Sequence, residues 1–369
     1  MTHEERTYLD FLGYCLNDIS EKPLEIVNWH NLLTFAKEQT IVGIYWQEIQ
    51  GLGNVVNKPS EDEVMEWMGE YQKIVRRSTK VDKAVADLSK LLKDNDIEFF
   101  VFKGQTVAQS YPVPESRTSG DVDFYVFKKD WNKATVILGK NVKIKDHHSF
   151  RHLDFDMEGI PFEMHYHTTV FGSKKTQNYW DDMIDSYFDE VLDHVEINGE
   201  AIPTLPPTTY CIYLFIHLYH HFLKEGVGLR QFIDWMIFIK TKHEEIIKTE
   251  LDAKLQKIGL KKAFRAFGCI LVDTLGLNRK VFPYALTDSD RKYEDKILSI
   301  VLEYGNFGKY GRLTTPSVFK RNEGWWHSIE TGARSIRHLL KFFWLSPKEN
   351  SLMLPTLLSH SLKKNMANN

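Results

Sequence analysis

Between Val101 and Val126 the chain reads VFKGQTVAQSYPVPESRTSGDVDFYV. Its two ends carry different periods. Ile97 to Phe102 is an apolar, aromatic-rich run closed by Lys103-Gly104, which suits an interior strand. Asp121 to Phe127 alternates instead, placing Asp121, Asp123 and Tyr125 on one face and Val122, Phe124 and Val126 on the other. Between these strands, Gly104 opens a helix through Thr106 to Ser110, followed by a loop containing Pro112 and Pro114.

Two carboxylates at i and i+2 of one strand repel each other unless cations sit between them. A pair of solvated acids at a strand edge is the commoner explanation of an isolated D-x-D. Downstream, Phe150 to Asp156 and Ile160 to His167 read as strands joined across Glu158-Gly159. The second sets Glu163 opposite Phe162 and Met164, so Glu163 can supply a third oxygen ligand across the sheet. Three such oxygens suit Mg²⁺ or Mn²⁺. Upstream, Lys103-Gly104 at a helix start offers free backbone N–H groups to a phosphate, and Arg117 and Ser119 bring charge and a hydroxyl to the same neighbourhood.

Outward from this centre the period is helical. From Glu4 to about Arg77 it is carried by Leu9, Leu12 and Leu16, then Ile41, Ile44, Trp46 and Ile49, and a further helix covers Val81 to Lys93. Trp131 to Leu138 reads as another. The run Ile202 to Thr209, rich in proline and hydroxyls, marks a boundary before helical stretches around 210–224, 229–242, 253–275 and 291–304, with a frayed end. The expected class is α+β: a small mixed sheet with flanking helices (78–205) between a helical N-terminal part (1–77) and a helical C-terminal domain (206–369).

Composition sets wider bounds. With 369 residues, 43% hydrophobic, and a net charge of −3, the chain supports more than one core and shows no general polyanion-binding surface. Cys15, Cys211 and Cys269 lie far apart with no CxxC spacing, arguing against a disulfide framework and for a reducing cytoplasm. The N-terminal MTHEERTYLDFLGYC lacks the pattern of an export signal, and Tyr210 to Leu223 is too short and histidine-rich to span a bilayer.

Together with FEMHYH at 162–167, the stretch 101–126 resembles an uncharacterised bacterial nucleotidyltransferase family of the polymerase-β-like superfamily, in which K-G, R-x-x-x-D-h-D and a later E-x-H recur. It is similar, more distantly, to nucleotidyltransferase-like toxins. The likeness runs from Leu88 to His167, and more weakly over the H-x-x-x-H and G-L-R-x-x-x-D helices from His217 to Asp234. It implies the fold, two-metal chemistry and a nucleoside triphosphate donor such as ATP, and leaves the acceptor open: small molecule, glycan precursor, protein or RNA. On that basis Asp121 and Asp123 would hold both metals, Glu163 would complete the acceptor-side metal and take the acceptor proton, and Lys103 and Arg117 would neutralise the triphosphate beside Gly104. One departure stands out. Gln105 follows Gly104 where the superfamily usually has Gly or Ser, so Thr106 or Ser119 would have to supply the hydroxyl.

Other features have plainer readings. His165 is expected to orient Glu163, and His167 to be a polar strand end. His217 and His221, one turn apart on an apolar helix, read as core or interface histidines. Arg230 and Asp234 read as an intrahelical pair. Trp325, Trp326, Phe342, Phe343 and Trp344, near Arg334, Arg337 and Lys341, read as helical-domain packing rather than a membrane or nucleic-acid surface. Two rivals remain: a D-x-D metal-dependent glycosyltransferase, which expects several strands and helices ahead of its acids, and a non-catalytic nucleotide-binding module on the same fold.

Overall fold

Local capping starts the N-terminal helices. Thr2 and Glu5 form a capping box on α1 (His3–Leu16), Asn28 accepts the Asn31 N–H to begin α2 (Trp29–Gln39), and α3 (Val42–Ile49) follows at once. Ser60 and Glu63 form a second box that opens α4 (Glu61–Lys93), a single helix of 33 residues. The sequence period predicts two helices here, one ending near Arg77 and one over Val81 to Lys93. Neither proline nor glycine interrupts 76–80, and the one buried polar residue, Ser78, is satisfied by the Gln105 amide at 3.2 Å, so nothing breaks the helix. The division expected between 77 and 78 falls inside it. The computed structural model describes residues 1–17, 28–52, 57–146, 152–188, 192–224, 226–305, 336 and 339–352.

A mixed five-stranded sheet follows α4. Its strands are β1 (Phe99–Phe102), β2 (Val122–Val126), β3 (Lys143–Asp146), β4 (His152–Met157) and β5 (Ile160–His165), in the order β1-β2-β5-β4-β3. The central β2–β5 pair is parallel and the other neighbours are antiparallel. Helix α5 (Gly104–Ala108) connects β1 to β2, and α6 (Trp131–Asn141) connects β2 to β3. Glu158 and Gly159, with φ of 53° and 78°, make the tight β4–β5 turn.

Alternation divides the sheet between two cores. Val101, Val122, Phe124, Val126, Phe162 and Met164 pack with Val81, Val85, Leu88 and Leu92 of α4 and with Ala134 and Leu138 of α6. On the other face Phe100, Phe102, Tyr125 and Phe127 join a larger core shared by the N-terminal and C-terminal helices. Each such side chain, fully buried, contributes roughly 1.5–3 kcal/mol.

Downstream come α7 (Lys174–Asp185) and the hairpin β6 (Asp193–Ile197) and β7 (Glu200–Thr204), none anticipated from the sequence. The hairpin's Asn198-Gly199 turn, with φ of 52° and 74°, was a signal available in the chain. Next are α8 (Pro207–Lys224), α9 (Leu229–Lys242), α10 (Lys248–Ile258), α11 (Lys261–Cys269), α12 (Asp288–Arg291) and α13 (Glu294–Tyr304). The single stretch expected over 253–275 is divided because Gly259 adopts φ 77° and ends α10. Trp325, Trp326, Arg334, Arg337 and the last residues lie outside the described residues; Phe342 is buried in the larger core, whereas Trp344 is exposed. No helix among the described residues is long and apolar enough to cross a membrane.

Candidate functional site

The parallel pairing of β2 with β5 sets Asp123 directly beside Glu163. Asp121, two residues earlier and just ahead of β2, projects to the same side as Asp123. Ligand oxygens of Asp121, Asp123 and Glu163 all lie within 4.8 Å of one another. Glu163 and the imidazoles of His152 and His165 make a second cluster of that size, because β4 sets His152 opposite His165.

Charge compensation centres on Asp123, which is only 4% exposed. Its Oδ1 lies 2.9 Å from Lys103 Nζ and 2.8 Å from His165 Nε2. Burial pushes the Asp123 carboxyl up, but Lys103 and His165 outweigh it and hold the group well below the usual range. Asp121 goes the other way: burial and then the charge of Asp123 raise it. For His165, burial is outweighed by Asp123 and by Glu163, whose Oε2 lies 3.3 Å away, and the imidazolium is favoured. Glu163 is lowered chiefly by that same contact.

Lys103 reaches Asp123 from an unusual backbone. Its φ of 62° and ψ of −157° belong to a region that is almost confined to glycine. A small network holds it there. The Lys103 N–H donates to the Tyr210 hydroxyl at 2.8 Å, Thr106 Oγ1 lies 2.5 Å from that hydroxyl, and Thr106 Oγ1 donates to the Lys103 carbonyl at 2.8 Å. Gly104, with φ 46°, continues the bend; an added Cβ would meet Asp121 O at an ordinary 3.6 Å, so conformation rather than space calls for glycine.

The remaining residues expected at the phosphates are engaged by other side chains, although Arg117 also lines the cavity onto which the acids open. Gln105 is buried and turned toward α4, donating to Ser78 and Asp82, and Ser119 Oγ donates to Gln105 Oε1 at 2.6 Å. Thr106, spent on the Lys103–Tyr210 network, offers no replacement hydroxyl. Arg117 is 5% exposed and makes a two-pronged pair with Asp234, Nε to Oδ1 at 2.7 Å and Nη2 to Oδ2 at 2.8 Å. The expected Arg230–Asp234 pair within α9 therefore does not form; Arg230 Nη1 donates to the Thr118 carbonyl at 2.7 Å.

The acids open onto a cavity of about 440 Å³. Lys103, Gly104, Asp121, Asp123 and Glu163 line it from the sheet, and Tyr213, His217, His221, Lys224 and Arg230 line it from α8 and α9. His217 and His221, read from sequence as core or interface residues, thus face the site, their rings 4.4 Å apart. Burial, with Lys103, His221 and Arg230 adding to it, drives His217 well below the usual histidine range. His167, just past β5, pairs with Asp181 at 2.9 Å. His152 was missed from the sequence, since only the cross-strand register brings it to Glu163.

No curated protein matches the chain. Among solved structures, an antigenic nucleotidyltransferase-like protein from Paracoccidioides brasiliensis is similar at 14% identity, covering 55% of this chain and 96% of that one, with a TM-score of 0.33. Residues 25–276 match the sequence model of a family described as "Uncharacterised nucleotidyltransferase", a span that includes β1 to β7 and every acid, lysine and arginine of the cavity named above. The chain therefore belongs to this uncharacterised nucleotidyltransferase family.

Proposed function

We propose that the protein transfers a nucleoside monophosphate from a nucleoside triphosphate to an acceptor, releasing pyrophosphate, with Mg²⁺ or Mn²⁺ held by Asp121, Asp123 and Glu163. The observation that carries this reading is the convergence of those three carboxylates at a cavity of about 440 Å³. An all-oxygen set from neighbouring strands fits a hard divalent cation. The raised carboxyl of Asp121 and the placement of Lys103 and His165 against Asp123 mark a crowded anionic site whose repulsion a divalent cation would relieve.

When bound, the metal would neutralise charge on the triphosphate and polarise the reacting oxygens. Lys103 sits at the mouth of α5, where its ammonium and the first backbone N–H groups serve the phosphates. The acceptor oxygen attacks the α-phosphorus, the bond to the β-bridging oxygen breaks, and pyrophosphate leaves with that electron pair. Glu163, half-buried between the exposed Asp121 and the buried Asp123, takes the acceptor proton.

Isothermal titration with Mn²⁺ and a non-hydrolysable triphosphate tests this. Wild type is expected to bind, and Asp121→Ala/Asp123→Ala to lose binding while staying folded. Triphosphate binding that survives the double variant contradicts the assignment. Binding of a sugar nucleotide without a triphosphate would favour a glycosyltransferase instead.

A further inference from the structure

Beside the acidic triad the same cavity has two arginines in its wall. Arg117 and Arg230 both line it, and Asp234 is the carboxylate that lies with them. That carboxylate is already used: Arg117 takes both of its oxygens, and the Tyr111 hydroxyl donates to Oδ1 at 2.7 Å. Arg230 has no carboxylate within ion-pair distance among the described residues, and its one hydrogen bond among them goes to the Thr118 carbonyl. Arg117 Nη1 and Arg230 Nε are buried and have no hydrogen-bond partner among the described residues. Asp121 also favours the charge of Arg230 from beyond ion-pair distance, but the two guanidinium groups share one contacting carboxylate, and arginine does not shed its charge as a proton. Burial, and then Arg117, make the charged form of Arg230 less favourable than usual, which is a cost an incoming anion would relieve.

We infer that the Arg117–Asp234–Arg230 cluster is a phosphate site that fills independently of metal. Where Arg230 lines the cavity its guanidinium gives charge-assisted bonds to phosphate oxygens, and the fork suits that geometry, while the enclosed Arg117 adds its charge from the wall. His217, neutral and beside Arg230 and Lys103, adds a hydrogen-bonding ring to the same wall. The phosphate belongs either to the terminal end of the donor triphosphate or to a phosphorylated acceptor. This assignment to a substrate rests on the nucleotidyl-transfer reading, whereas the phosphate site itself does not.

The test is titration of inorganic phosphate into the full chain in EDTA, followed by calorimetry and by ³¹P line broadening. Wild type is expected to bind, and Arg230→Gln to bind about 10- to 100-fold more weakly. Asp121→Ala/Asp123→Ala should bind as well as wild type or better, since nearby negative charge is removed. Should Arg230→Gln fail to fold, Arg230→Lys, which keeps the charge and loses the fork, is expected to weaken phosphate binding. No phosphate binding by wild type, or equal binding by folded Arg230 variants, overturns the site. The sources separate in the presence of Mn²⁺. If phosphate competes with the triphosphate and Arg230→Gln weakens ATP but not AMP, the donor fills the site; if phosphate and ATP bind together, an acceptor does. Phosphate binding without any triphosphate binding would leave the site standing and remove the transferase reading.

Discussion

Replacing Asp234 with leucine should be among the most destabilising single changes in this protein. The carboxylate receives two arginine N–H groups at 2.7 and 2.8 Å and a tyrosine hydroxyl at 2.7 Å, and both ion-pair partners are buried. Breaking a buried pair by removing one member costs about 3–5 kcal/mol, because the surviving charge is left uncompensated. For Asp234→Leu the upper part of that range is expected, since Arg117 would lose its partner and Arg230 the nearby negative charge that favours its ionised form. Arg117→Met should cost less, because Arg230 can inherit Asp234. The double variant should be less destabilised than the sum of the two, with a coupling of at least about 1–3 kcal/mol. Urea unfolding monitored by tryptophan fluorescence measures all corners of the cycle. Additivity within about 0.5 kcal/mol would refute the reasoning.

Three further outcomes follow from the same contacts. Asp121→Asn should raise the Tm of the metal-free protein slightly, the gain being limited by solvent screening of this exposed residue, while abolishing the metal-induced increase in Tm, because it removes a carboxylate whose charged form is disfavoured by desolvation and by Asp123; a lower Tm in EDTA would count against it. The His165 imidazolium is favoured in the fold, so its stabilising effect is complete below about pH 6.5 and fades as pH climbs through its raised value. Asp123, held low, contributes above about pH 4 and loses its effect only in stronger acid. The Tm in EDTA is therefore expected to fall as pH rises above about 6.5, and His165→Gln should flatten that decline. Gly43→Ala should cost about 1–3 kcal/mol or more, since its Cβ would come within 2.0 Å of the Ser116 carbonyl oxygen next to Arg117; thermal unfolding reads this directly.

Much of the centre was legible because strand period is unforgiving. Alternation alone put Asp121 with Asp123 and set Glu163 apart from Phe162 and Met164, and the register then placed Glu163 beside Asp123. Side-chain partners were another matter. Arg117, Gln105 and Ser119 stand next to the acids in sequence, yet tertiary packing gives Arg117 to α9 and Gln105 to α4. A local sequence window cannot weigh a partner more than a hundred residues away, as Asp234 is from Arg117. The i, i+4 rule favoured Arg230 for Asp234, but the buried two-pronged geometry of Arg117 prevails over a helix-surface pair. His217 and His221 looked like core because α8 is apolar around most of its circumference. Which stripe faces the cavity is settled only when α8 is laid against the sheet. The β6–β7 hairpin and α7 do carry local, physically readable signals, the Asn198-Gly199 turn and the Ser173 cap.

The central claim is that Asp121, Asp123 and Glu163 hold divalent cation for a triphosphate in this cavity. A crystal soaked with Mn²⁺ and a non-hydrolysable triphosphate, measured at the manganese edge, addresses it most directly. Anomalous density about 2.0–2.3 Å from oxygens of all three carboxylates, with the phosphates running toward Lys103, is the expected result. Manganese bound elsewhere, with a triphosphate seated away from these acids, would contradict the account.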